Sequence, residues 1–309
     1  MGKPDRNVRE KSVKTLLGEL LRRYVPASVK ARMPVRLKAR ARDIFGIEPW
    51  PDLAVRHALF RTRQYKLLRE QARLFDIKRP NKPVLERGHQ TSYVIARWFT
   101  EADVKTAFHV GYANGRHLFY LSQMGILCAG TDLPSEDTAW VAIPAGVFNH
   151  GTRSRLLQVD FFDLSTAQCL DMWGADGPPV IDVLFSEATF ETMLPWRHGK
   201  ASIPKYLAMA PDALGPLMHQ RFPEKLEELK RCFRNMVFIE PEPTAGGTGA
   251  VFEACARRLP EFVHSIWTFR PPLDSLFRLS PHYPTKQTVY AFTRDAALIE
   301  ALRMYAAPL

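Results

Sequence analysis

The sequence predicts an α/β protein: a mostly parallel, seven-stranded sheet with helices on both faces, preceded by a helical N-terminal extension. Three observations carry this prediction. After Pro83, six short β-rich runs alternate with helical or loop stretches, at 106–110, 126–131, 155–159, 179–186, 236–240 and 262–269, and a seventh follows at 287–293. Strands alternating with helices imply crossover connections and a parallel sheet. The last two runs have no obvious helix between them, which predicts an antiparallel hairpin closing the sheet. Charge divides the chain as well. Residues 1–80 hold 21 Lys and Arg against 8 Asp and Glu, a net of +13, whereas the remaining 229 residues net −2. A basic extension over 1–80 and a near-neutral core over 81–309 follow from that asymmetry.

Within the extension, 12–24 reads as an amphipathic helix. Val13, Leu16, Leu17, Leu20, Leu21 and Tyr24 recur at the spacing that gathers one face, and Pro26 ends the pattern. The 28–42 stretch is intensely basic and interrupted by Pro34, and 53–76 turns helical again around Leu59, Phe60, Leu67, Leu68 and Leu74. No apolar run reaches the roughly 18 residues of a membrane span, and the N-terminus has no apolar segment of a secretory signal. Cys128, Cys169, Cys232 and Cys255 each neighbour apolar residues, and none forms a CxxC pair. They read as reduced, buried thiols of a cytoplasmic protein, and no metal site is expected.

The chemistry-bearing stretch is 106–132. An apolar strand ends at Val110, and the tight turn Gly111-Tyr112-Ala113-Asn114-Gly115 follows. A helix then opens at Arg116, and a second strand ends on Asp132. Small residues at a strand end let backbone N–H groups approach a ligand, and a carboxylate ending the next strand can accept two ribose hydroxyls. Gly111 and Gly115 are expected where a Cβ would crowd that ligand or strain the backbone. The two-and-two spacing of the small residues differs from the dinucleotide fingerprint Gly-x-Gly-x-x-Gly, because residue 116 is Arg.

This ordered set, from about 85 to 293, resembles class I S-adenosyl-L-methionine (SAM)-dependent methyltransferases, whose fold is Rossmann-like. The resemblance implies SAM as cofactor. It places the glycine-rich turn at His109, Gly111, Tyr112, Ala113 and Gly115, and the ribose-binding acid at Asp132, followed by Leu133. It places the adenine-side acid at Asp160, with the Phe161 ring against the adenine, and puts Ser186 near the methyl group. The chain departs from the family pattern twice. His109 stands where an acid usually helps hold the methionine amino group, and Ala113 replaces the middle glycine.

Three candidates for a catalytic base, Glu187, Glu191 and His198, lie in or just after the fourth-strand loop, at the carboxyl edge where such sheets bind ligands. Glu240 and Glu242 are more distant candidates. The tetrad Ser186-Glu187-Ala188-Thr189 lacks the Asn/Asp-Pro-Pro-aromatic pattern of base amino-group methylation, and no Pro-Cys dipeptide supports a covalent cysteine route. An insertion at about 187–233, with Trp196, Tyr206, Met209, Met218 and Phe222, could wall an acceptor pocket. Gln90, Thr91 and Tyr93 could cover the cofactor from the other side.

The expected activity is O-methylation of a small-molecule or glycan- or lipid-linked acceptor. Two alternatives stay open: an RNA methyltransferase that binds through the basic extension, and a catalytically silent SAM-fold assembly module. The extension itself has three readings: a helical cap or homo-oligomer contact, an anionic membrane surface that would make the protein peripheral, or RNA.

Overall fold

The computed structural model describes residues 59–75, 82–133, 154–174, 177–187, 189–190, 217–241, 248–269 and 287–308. The chain divides into two compact units, 1–62 with 272–283, and 63–271 with 284–309. The second contains the sheet. The 12–24 stripe and the basic 28–42 stretch lie outside the described residues.

Eight strands form one sheet in the order β3-β2-β1-β4-β5-β7-β6-β8. They are β1 (Thr106–Val110), β2 (Leu127–Asp132), β3 (Ser154–Gln158), β4 (Ile181–Glu187), β5 (Phe233–Pro241), β6 (Val263–Phe269), β7 (Gln287–Thr293) and β8 (Ala306–Pro308). The β1–β2, β2–β3, β1–β4 and β4–β5 pairs are parallel, and β5–β7, β6–β7 and β6–β8 are antiparallel. Seven strands and the closing antiparallel pair stand where the sequence places them. The short β8 is an addition: three residues without alternation give no strand signal.

Seven α-helices are described: α1 (Arg63–Gln71), α2 (Lys82–Glu101), α3 (Arg116–Gln123), α4 (Thr166–Asp171), α5 (Phe222–Leu229), α6 (Thr248–Arg258) and α7 (Ala296–Leu302). Strand alternation sorts the buried residues to two faces. Phe108 and Val110 of β1, Leu184 of β4 and Met236 and Phe238 of β5 join one cluster with Phe222, Leu226 and Leu229 of α5 and Val251, Phe252 and Cys255 of α6. Phe185 points the other way, onto Phe99 of α2 at 5.3 Å. On that side the Trp98 indole N–H donates to the Leu298 carbonyl of α7. Both faces are therefore covered, which explains the almost continuous apolar runs of β1 and β4.

The amino ends of β1, β4 and β5 are pinned by polar side chains. Asp182, at the start of β4, accepts from the backbone N–H groups of Lys105 and Thr106 at 2.8 and 3.0 Å, and Thr106 Oγ1 accepts from the Asp182 N–H. Asn235 Nδ2 donates to the Asp182 carbonyl. All four cysteines are free and buried. Burial raises each thiol, Cys232 to about 11, so none is a ready nucleophile near neutral pH.

The sheet-bearing unit starts at Arg63, upstream of the boundary at 80/81 drawn from charge. Tyr65, Leu68, Ala72 and Phe75 are buried, whereas Leu67 and Leu74 face solvent. Tyr65 meets Tyr93 at 5.1 Å, and Phe75 meets Phe119 of α3 at 5.3 Å. The basic side chains of this segment lie on the opposite face of an apolar stripe that packs inward. Phe75→Ala should therefore destabilise the protein by about 3–5 kcal/mol, measured as a lower urea midpoint at unchanged slope, whereas Leu74→Ala should stay within about 0.5 kcal/mol of wild type.

Candidate functional site

The strand order reverses between β1 and β4: the chain runs outward from β1 to β2 and β3, then starts again on the far side of β1. At such a point the connections leaving two neighbouring strands diverge and open a crevice beyond their carboxyl ends. Val110, the last residue of β1, pairs with Ser186 of β4. The turn 111–115 and the strand end Ser186-Glu187 therefore flank the same crevice.

The turn is built from left-handed backbone. Gly111, Ala113 and Gly115 have φ of 74°, 46° and 76°. Gly111 N–H donates to the Thr131 carbonyl at 2.8 Å, and Gly115 N–H to the Tyr112 carbonyl at 2.8 Å. Asn114 Oδ1 accepts from the Arg116 N–H at 3.2 Å as α3 begins. Ala113 holds a conformation that L-residues avoid, and its N–H donates to Asp132 Oδ2 at 2.6 Å. The other oxygen, Oδ1, accepts from the Leu133 N–H at 2.8 Å. Asp132 thus ties the turn to the end of β2. Burial raises its pKa, against the lowering by those two backbone bonds.

Gly111 and Gly115 stand at positive φ, where a Cβ strains the backbone as expected, and Gly111 is confined by a protein side chain as well. A Cβ there would lie 2.4 Å from Thr189 Oγ1 and 2.5 Å from Thr189 Cγ2. The Thr189 hydroxyl, which donates to the Val110 carbonyl at 3.1 Å, occupies the space beside the glycine. Gly130 of β2 is equally confined: a Cβ would come within 2.7 Å of the His109 carbonyl and 3.2 Å of the Tyr112 ring. Tyr112 is held over β2 in this way, and its phenol is raised by burial and by the Asp132 charge.

His109 does not project into the crevice. It is 1% exposed, stacks on Phe185 at 4.3 Å with a 3° interplanar angle, and meets His117 edge-on at 5.1 Å. Neither of its ring nitrogens has a partner among the described residues. Burial, then the nearness of the His117 imidazole and the Arg116 charge, hold it well below the ordinary 6.5. His117, on the first turn of α3, is lowered by burial as well. Both rings are therefore neutral at neutral pH.

Glu187 ends β4 beside them. His117 Nε2 stands 3.5 Å from its Oε2, and Gln287 Nε2, at the start of β7, donates to its Oε1 at 2.5 Å. Burial pushes this carboxyl up, but the contacts with His117 and Gln287 and the Arg116 charge outweigh it and bring it down to about 2. A group so acidic is a weak base at neutral pH. Ser186 is fully buried, and its hydroxyl donates to Glu240 Oε1 at 3.3 Å. Glu240 also accepts from the Phe190 N–H at 3.4 Å, which anchors the loop after β4 from below.

Asp160 caps the short 3₁₀ turn 161–163, its Oδ1 accepting from the Phe162 N–H at 3.0 Å. The Phe161 ring is 2% exposed and packs among Phe162, Phe190 and Phe222. It stiffens the floor beneath the loop. Gln90, Thr91 and Tyr93 lie on α2 and are buried, Tyr93 donating to Gln64 Oε1 at 3.1 Å. Glu191, His198, Glu242 and residues 191–216 of the insertion lie outside the described residues. The structure brings together His109, Gly111, Tyr112, Ala113, Gly115, Asp132, Leu133, Ser186 and Glu187. To these it adds His117, Arg116, Thr189 and Gln287, which sequence reasoning missed. In the sequence Arg116 opens the helix after the turn, His117 stands on its first turn and Thr189 ends the Ser186–Thr189 tetrad, and none of these positions by itself marks a site residue. Among the described residues no group of three or more His, Cys, Asp or Glu is placed to hold a metal, and no helix is long and apolar enough to cross a membrane.

No family model and no curated protein matches the sequence. Solved structures of similar course include the methyltransferase domain of a bacterial Hen1, CtHen1, at 12% identity, covering 67% of this chain and 99% of that one with a TM-score of 0.43. Magnesium protoporphyrin IX methyltransferase from Synechocystis PCC 6803, solved with bound SAM, is similar at 12% identity over 79% and 98% of the two chains, TM-score 0.43. The N-methyltransferase NodS from Bradyrhizobium japonicum WM9 is similar at 9% over 74% and 99%, TM-score 0.41. At these values the functional reading has to stand on the turn and the strand ends themselves.

The two buried histidines carry a consequence for pH dependence. Their folded-state pKa values are depressed, so the unfolded chain takes up protons that the folded one refuses. Stability is then present above the ordinary 6.5 and is lost as pH falls below it. Glu187 contributes only at lower pH, between its ordinary 4.5 and about 2. The urea midpoint should therefore drop between pH 7 and pH 5, and His109→Phe, which keeps a ring on Phe185, should flatten that drop. Parallel pH profiles for the two proteins would show that His109 is not the titrating group.

Proposed function

We propose that this chain is a SAM-dependent methyltransferase. One observation carries the reading: at the β1/β4 switch point, a left-handed glycine-rich turn is clamped by its Ala113 N–H to the carboxylate that ends β2. The residues present fit the cofactor. Each Asp132 oxygen accepts one backbone N–H and keeps a second acceptor site, so a vicinal diol can be bound without displacing either bond. In this reading Asp132 and the Leu133 N–H hold the ribose, Tyr112 walls it on the β2 side, and the Gly111–Gly115 turn admits the amino-acid portion. Asp160 lies on the adenine side, with Phe161 stiffening the loop beneath it, and Ser186 lies nearest the transferred methyl.

When bound, the cofactor supplies an activated methyl on a sulfonium. The chain's own part is to orient it, exclude water and place an acceptor in line. The acceptor in our reading is a small molecule or a glycan- or lipid-linked metabolite, methylated at oxygen. The absence of an amino-methylation tetrad after β4 supports oxygen. Glu187 is too acidic to take the acceptor's proton efficiently, which leaves Glu191 and His198 as the candidate bases. Calorimetry with SAM or its demethylated product S-adenosylhomocysteine (SAH) tests the reading: wild type should bind, and Asp132→Ala should lose about 1.5–3 kcal/mol. No binding by folded wild type at millimolar ligand would overturn it.

The +13 surplus of residues 1–80 favours a second reading of the acceptor, an RNA held by the extension. Titrations with RNA and with anionic liposomes, run side by side from low to physiological salt, separate the two. The true partner should lose affinity steeply as counterions or screening take over, and binding to neither would assign the surplus to a solvated cap.

A further inference from the structure

Glu187 is a crevice carboxylate that no Lys or Arg pairs directly among the described residues; the Arg116 charge acts on it without an ion pair. It ends β4 one residue beyond Ser186, and Ser186 is in register with Val110, so it stands beside the Gly111 turn. Its carboxylate is held from two sides, by His117 of α3 and Gln287 of β7. Among the described residues those are its direct partners, and both are neutral groups at neutral pH: Gln287 carries no charge, and burial lowers the His117 imidazole below its ordinary value, so the one positive charge acting on the carboxylate is that of Arg116, which makes no ion pair with it. The side chain retains 19% exposure. Two oxygens offer about four acceptor sites, and only two of them face a partner. A carboxylate ionised, oriented and still open on one edge is a binding site for a cation that donates hydrogen bonds.

The opposite strand end offers no competitor. On β1 the side chain nearest the turn is His109, which is buried against Phe185 and His117 and neutral. An acid at that position would face the His117 imidazole and the Phe185 ring in a closed layer. Here the negative charge of the crevice stands across the β1/β4 pair, on the neighbouring strand.

We propose that Glu187 binds the α-ammonium group of the cofactor, as a cofactor-binding residue rather than the catalytic base. The inference rests on the SAM reading above. The ammonium presents three N–H donors, which a carboxylate can accept, whereas the sulfonium presents none. His117 and Gln287 are the positioning residues that keep the carboxylate ionised and aimed.

The experiment is calorimetry of the full chain with two probes that differ in one group: SAH, and its deamino analogue, in which hydrogen replaces the α-ammonium. Wild type should prefer SAH by about tenfold or more, the weight of a charge-assisted hydrogen bond. Glu187→Gln keeps the shape and removes the charge; it should erase that preference while leaving affinity for the deamino analogue at the wild-type value. Unchanged analogue binding also reports that the turn and Asp132 remain folded. A folded Glu187→Gln that still prefers SAH as wild type does overturns the proposal and leaves the methyltransferase reading intact. Wild type binding SAH and the analogue equally does the same, and decides the matter without the variant should Glu187→Gln fail to fold. Wild type binding neither probe overturns both.

Discussion

The bond from the Ala113 N–H to Asp132 Oδ2 is the constraint on which the rest of the site depends. It joins the turn after β1 to the end of β2, two strands already held in parallel register by their backbones. A left-handed alanine costs free energy that glycine would not, and a short charge-assisted bond offsets it. Once the turn is held, α3 starts at a set place and angle. That start delivers Arg116 and His117 to the crevice, and His117 reaches Glu187. The Gly130 position permits the close approach, because any side chain there would strike the His109 carbonyl.

Much of the fold was legible because the sheet is buried on both faces. Strands so placed are near-continuous runs of apolar and β-branched residues, as in TAFHV and PVIDVLFS, and those runs stand out against polar connections. The short β8 was illegible for the opposite reason: Ala306, Ala307 and Pro308 have neither length nor alternation. The boundary at 80/81 and the start of the compact unit at Arg63 answer different questions. Charge marks what faces solvent, whereas domain membership is decided by what faces inward. The segment 63–75 is rich in Arg and Lys yet carries Tyr65, Leu68, Ala72 and Phe75 at spacings of three, four and three. That stripe is present in the sequence, but the exposed leucines Leu67 and Leu74 beside it blur its periodicity.

The candidate site divides along the same line between local and non-local information. The turn, Asp132 and the strand end at Ser186-Glu187 are each readable from a few consecutive residues. What Gly111 avoids was not, since Thr189 lies 78 positions away and reaches it only through the β1/β4 pairing. The same holds for the Glu187 anchors, one on α3 and the other at the start of β7, a strand that joins the sheet only beyond β5. Sequence patterns report secondary structure and its punctuation; they do not report which strand ends meet.

The placement of charge on β4 rather than on β1 shows why that distinction matters for function. Judged one position at a time, a histidine where an acid is expected is a loss of ligand-binding capacity. In the folded crevice the two strand ends are neighbours, and electrostatics depends on where charge sits in space rather than on which strand carries it. With histidine at 109 and glutamate at 187, the crevice has a negative charge at its edge while the β1 position packs. The packing then serves the charge. The His109 ring fills the layer behind His117, and His117 in turn helps hold Glu187 ionised. A buried pair of neutral imidazoles is costly to protonate, so the arrangement that orients the carboxylate also ties the stability of this corner of the fold to pH.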